Sequence, residues 1–125
     1  MQHKRLKIYV VLAGLMLAAG ITAGTASVES VLCHAGPAMD EGYGGPALID
    51  CPAAMRPLVD RYYGCQHWGG EEPYDAERAA QIEAAVTKLK CDVLDADIAA
   101  FRTHHADRPD VLSTLGGIVD ASLEE

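Results

Sequence analysis

The run Tyr62-Tyr63-Gly64-Cys65-Gln66-His67-Trp68-Gly69-Gly70-Glu71-Glu72-Pro73-Tyr74-Asp75 holds the single Trp and three of the five Tyr of this 125-residue chain. An imidazole, an amide and three carboxylates accompany them. Two chemistries suit these residue types. Aromatic side chains with polar tips, set among glycines, can anchor a protein partner, and the candidates are Gln66, His67, Trp68, Glu71, Glu72 and Tyr74. His67 with Glu71 or Glu72 pairs a base with a carboxylate, the start of a hydrolytic or metal-handling site. That second constellation is incomplete, because no Ser or reactive Cys stands at a recognisable nucleophile turn and the cysteines are expected to be oxidised. Five residues of the run also have ordinary roles: Asp75 as a helix cap, Glu71 and Glu72 as favourable charges near a helix start, Trp68 and Tyr74 as a cover over the hairpin end. Binding is therefore preferred over catalysis, and no catalytic residue is assigned.

Histidines elsewhere do not complete a metal site. His104 and His105 are adjacent, so on a helix they point about 100° apart, and neither has a His or Cys partner one turn along. His105 instead extends the apolar spacing Leu94, Ile98, Phe101 and reads as a half-buried packing residue. Asp92, Asp95 and Asp97 lack the glycine and terminal Glu of a calcium loop. No metal ligand and no cofactor is expected.

The elements that must position the aromatic run are helical. Leu48, Met55, Leu58, Val59 and Tyr62 recur at spacings near three and four, which predicts a first helix over Met55 to Gly64, with Pro52 and Pro57 at its start. A loop from Gln66 to Tyr74 follows. Asp75 then caps a second helix, Ala76 to Lys90, with Ile82, Val86 and Leu89 in a stripe. Asp92 is expected to cap a third helix, stopped by Arg108 and Pro109, and Asp110 to cap a fourth with Val111, Leu115, Ile118 and Val119 inward. No segment alternates apolar and polar residues, so no sheet is expected. The fold class read from the sequence is all-α: a small disulfide-stapled domain of three to four helices built on an antiparallel helix hairpin.

Four cysteines, Cys33, Cys51, Cys65 and Cys91, allow three pairings. In an antiparallel hairpin Cys51 and Cys91 fall level at the end away from the loop, which favours Cys51 with Cys91 and Cys33 with Cys65. Pairing Cys65 with Cys91 would then join opposite ends of the second helix, more than roughly 20 Å apart, and is disfavoured.

The compartment comes from the N-terminus. His3, Lys4, Arg5 and Lys7 precede an apolar run from Ile8 to Ile21 and small residues ending near Ala26, the pattern of a cleaved export signal over residues 1–26. The alternative is an uncleaved inner-membrane anchor over residues 8–26, since the run approaches the roughly 20 residues that cross a bilayer. Residues 27–46 read as an irregular arm rich in Gly and Pro, and residues 47–125 as the helical domain. The first 26 residues carry three of the ten basic side chains and none of the eighteen acidic ones, leaving seven against eighteen, a net charge of −11. Such a field repels nucleic acid and anionic lipid and speeds encounter with a basic protein. The expected function is that of an exported, periplasmic or secreted binding protein, of the inhibitor or immunity type, presenting residues 66–75 to a basic cell-envelope hydrolase. Its rivals are a small enzyme or metal-handling protein using His67 with Glu71 or Glu72, and a structural envelope domain without activity.

Overall fold

The computed structural model describes residues 31–121; the signal or anchor expected over residues 1–26 lies outside them. Four helices carry most of the fold: α1 (Met55–Gly69), α2 (Ala76–Lys88), α3 (Leu94–His104) and α4 (Pro109–Val119), with one 3-10 turn over Cys91–Val93. Two strands, β1 (His34–Ala38) and β2 (Pro46–Ile49), precede them.

The core is built where the apolar spacing placed it. Met55, Leu58, Val59 and Tyr62 of α1 pack against Leu94 and Ile98 of α3 and Val111, Leu115, Ile118 and Val119 of α4. Each fully buried aliphatic side chain contributes about 1.5–3 kcal/mol, so these three helices hold the domain together. Tyr62 buries its ring and donates its hydroxyl to the Val119 carbonyl at 3.1 Å, satisfying one of the open carbonyls at the end of α4. Phe101 packs at the edge of the core with His105 beside it, ring centroids 4.3 Å apart, as the extended stripe predicts.

The expectation of no sheet is corrected, and with it the irregular arm. β1 and β2 pair antiparallel, with His34 opposite Ile49, Ala35 opposite Leu48, Ala38 opposite Pro46, and an irregularity between Ala35 and Ala38. Alternation does not betray these strands because Ala, Gly and Pro occupy most of them. Gly42 and Gly44, both at positive φ, turn the chain between them. A two-stranded ribbon is marginal alone. Here the Cys33–Cys51 disulfide closes its open end, and α4 holds it: the Cys33 N–H donates to the Asp110 carboxylate at 3.0 Å, and Thr114 donates its hydroxyl to the Cys33 carbonyl at 2.9 Å.

Asp110 is thus not the cap of α4. Arg108 stands at that position, Pro109 opens the helix, and Asp110 follows inside the first turn. The Arg108 guanidinium donates two hydrogen bonds to the Asp110 carboxylate, and together with the Cys33 N–H it holds that carboxyl well below the usual range. The same pairing raises the Arg108 pKa. Asp92 likewise caps nothing, since it lies within the 3-10 turn and Val93 precedes α3. Asp75 does cap α2, accepting from the Arg78 N–H at 2.8 Å.

Both expected disulfides are corrected. The bonds are Cys33–Cys51 and Cys65–Cys91. The reason is the length of α1, which continues four residues past Cys65 to Gly69. The six residues from Gly70 to Asp75 then turn the chain back, and the 3-10 turn that follows α2 brings Cys91 to Cys65. Arg61 fastens the same junction, donating to the carbonyls of Leu89 and Lys90, each at 2.9 Å, and to Asp97 at 2.6 Å. α2 therefore meets the C-terminal part of α1 rather than lying level with it as the expected hairpin partner. Its Ile82, Val86 and Leu89 are only half-buried, and no residue of α2 is buried.

Candidate functional site

Lengthening α1 changes what the aromatic run is. Gln66, His67 and Trp68 form its last turn, and only Glu71, Glu72 and Tyr74 remain on the connecting segment.

Trp68 is a strut, engaged on two sides. Its indole N–H donates to the Tyr43 hydroxyl at 3.0 Å, and the Arg78 guanidinium lies 4.9 Å from its ring centroid. Arg78 in turn donates from Nε to Glu71 at 2.6 Å, pairs with the same carboxylate through its terminal nitrogen, and reaches Gln81 at 2.9 Å. One aromatic face, one cation and one carboxylate thus clamp the start of α2 onto the end of α1. A cation–π contact of this exposure is worth about 0.5–1 kcal/mol. His67 sits beside the same cluster, its ring 5.5 Å from Tyr43 and 5.2 Å from Trp68.

Tyr43 arrives from the turn between β1 and β2, and Gly64 admits it. A methyl group on Gly64 would lie 2.8 Å from the Tyr43 ring and 2.9 Å from Leu89, so only glycine lets the β-turn, α1 and the end of α2 converge there. Neither Tyr43 nor Arg78 was among the sequence candidates. The Gly-flanked Tyr43 carried the only signal, and Arg78 carried none beyond facing Glu71 across a turn.

Tyr74 is different from its neighbours. It is 80% exposed, on a segment held at one end by the Trp68–Arg78–Glu71 clamp and at the other by the Asp75 cap. Glu72 beside it is exposed. The catalytic pairing of His67 with Glu71 is not assembled in this arrangement: the carboxylate is engaged by Arg78, while the imidazole packs on aromatic rings. Among the described residues no group of three or more His, Cys, Asp or Glu side chains is placed to hold a metal ion.

Gln66 belongs elsewhere. It lines an open cleft of about 360 Å³ between α1, α3 and the end of α4. The floor is apolar, Tyr62, Ile98 and Val119, and the rim carries Asp95 and the Arg102–Asp120 pair.

The arginine charge of the described surface is paired. Each of its five arginines is matched to a carboxylate: Arg56 to Asp60, Arg61 to Asp97, Arg78 to Glu71, Arg102 to Asp120 and Arg108 to Asp110. The acidic excess is therefore carried by side chains outside these pairs, Asp40, Glu41, Glu72, Glu77, Glu83 and Asp95 among them.

No protein-family model, no curated protein and no solved structure matches this chain. Two disulfides in so small a domain fit an exported protein folded under oxidising conditions. Among the described residues no helix is long and apolar enough to cross a membrane.

Proposed function

We propose that this is an exported binding protein whose partner is a basic protein, met through the segment Glu71–Asp75 with Tyr74 as its anchor; an inhibitor of a basic cell-envelope hydrolase is the form of that function tested first. The exposure of Tyr74 on a segment clamped at both ends carries the reading. An exposed aromatic on a backbone segment anchored at both ends leaves less of the chain to be ordered on binding, which favours affinity. The unpaired acids, Glu72 next to it included, supply the attraction for a basic surface. Trp68 and Glu71 support the segment from behind, and His67 lies at its margin.

The test is capture from envelope extract with the oxidised protein as bait, Tyr74→Ala run beside it, and retained proteins identified by mass spectrometry. A single basic hydrolase retained by the parent, lost with Tyr74→Ala and released by raised salt supports the proposal. Equal retention by both baits removes Tyr74 from it, and retention unchanged from low to high ionic strength removes the electrostatic attraction.

A further inference from the structure

The cleft between α1, α3 and the end of α4 is separate from the clamped segment, and its chemistry is specific. Tyr62, Ile98 and Val119 give it an apolar floor, and its volume of about 360 Å³ falls in the range of sites that hold a small group. On the rim, Arg102 directs one terminal nitrogen at both oxygens of Asp120, at 2.9 and 3.0 Å, so those two charges balance each other. Asp95 is left over as an exposed carboxylate, with the Gln66 amide on the rim as well. A greasy floor under a net negative rim matches a long aliphatic stem ending in a cation. Lysine has that shape: its methylenes cover apolar surface while the ammonium stays at the water boundary.

We infer that this cleft receives one lysine side chain of the basic partner, the stem on Ile98 and Val119 and the ammonium at Asp95. The inference rests on the proposed basic partner and gives it a second point of attachment. Charge complementarity chooses the occupant, since a carboxylate-bearing ligand would meet Asp95 and Asp120 with its own charge, and a wholly apolar one would gain nothing from Asp95.

The experiment titrates the oxidised protein with N-acetyl-lysine methylamide and, separately, with the norleucine compound that has the same stem and no ammonium. Methyl resonances of Ile98 and Val119 report the cleft. Saturable shifts with the lysine compound alone are expected. Asp95→Asn should weaken them about three- to fivefold, the range of an exposed ion pair. Ala99→Phe, which fills the cleft from an exposed position on α3, should abolish them, and Asp40→Asn, distant in the β-turn, should leave them unchanged. Equal shifts with the norleucine compound overturn the assignment of a cation, and equal weakening by Asp40→Asn reduces the effect to net charge. Failure here with partner capture still dependent on Tyr74 overturns the cleft alone; saturable lysine binding without Tyr74-dependent capture overturns the clamped segment instead.

Discussion

Removing the Cys65–Cys91 bond is the sharpest test of how α2 is held. The bridge spans 26 residues, and the loop-closure relation then assigns it about 3.5 kcal/mol at room temperature, a large part of the 5–15 kcal/mol that a domain of this size has in total. For a domain near 100 residues that corresponds to a fall in Tm of roughly 14–28 °C. The loss should be local before it is global. α2 buries no residue, and an isolated helix of 13 residues is marginal in water. Without the disulfide it keeps the Trp68–Arg78 clamp, the Arg61 hydrogen bonds and a half-buried stripe. In the Cys65→Ala, Cys91→Ala double variant, urea unfolding should show the predicted loss. Native-state hydrogen exchange should show α2 amides exchanging before those of α1, α3 and α4. A loss below about 1 kcal/mol, or α2 amides as protected as in the parent, refutes the reasoning, because either would mean that packing rather than the covalent link keeps α2 in place.

Four further outcomes are expected. Gly64→Ala, whose methyl would press on Tyr43 and Leu89, should lower thermal stability by about 1–3 kcal/mol, read by calorimetry, and should perturb the fluorescence of Trp68 through its Tyr43 partner. Lys90 sits at φ 53 in the left-handed region, so Lys90→Gly should raise stability by about 1 kcal/mol in urea unfolding. Asp110 ionises at lower pH in the fold than in the unfolded chain because Arg108 and the Cys33 N–H stabilise its charge. Its contribution is therefore complete above the unfolded carboxylate value, near 4, and drains away as the pH falls below it. Asp110→Asn should lower stability at neutral pH and flatten the acid limb of the stability curve, with a parallel curve counting against the pairing. Trp68→Ala should release the start of α2, so that limited proteolysis cuts between Gly70 and Arg78 faster than in the parent while helix content by circular dichroism changes little.

Much of the helical core was legible as spacing. Met55, Leu58, Val59 and Tyr62, then Leu94 and Ile98, then Val111, Leu115, Ile118 and Val119 are apolar at the helical period and are the residues that become buried. That pattern is a property of the chain itself, because one face of each helix must leave water whatever the neighbours are. The Asp75 cap was equally local. The candidate site was legible only as composition: the run from Tyr62 to Asp75 stood out by its aromatics, but spacing could not say that Trp68 would be engaged by Tyr43 and Arg78 while Tyr74 stood free.

Tertiary structure decided the rest, and for one kind of reason. β1 and β2 pair through backbone groups that every residue carries, so side-chain pattern does not mark them; the Cys33–Cys51 bond beside them closes the ribbon, and Asp110 and Thr114, distant in sequence, hold it. The disulfide pairing turned on five extra residues at the end of α1 and on the direction in which α2 returns. The cleft exists only because residues of α1, α3 and the end of α4 come together around it. Local periodicity determines which face of an element is buried; where elements meet end to end is set by contacts between residues far apart in the chain, and no short window of sequence contains them.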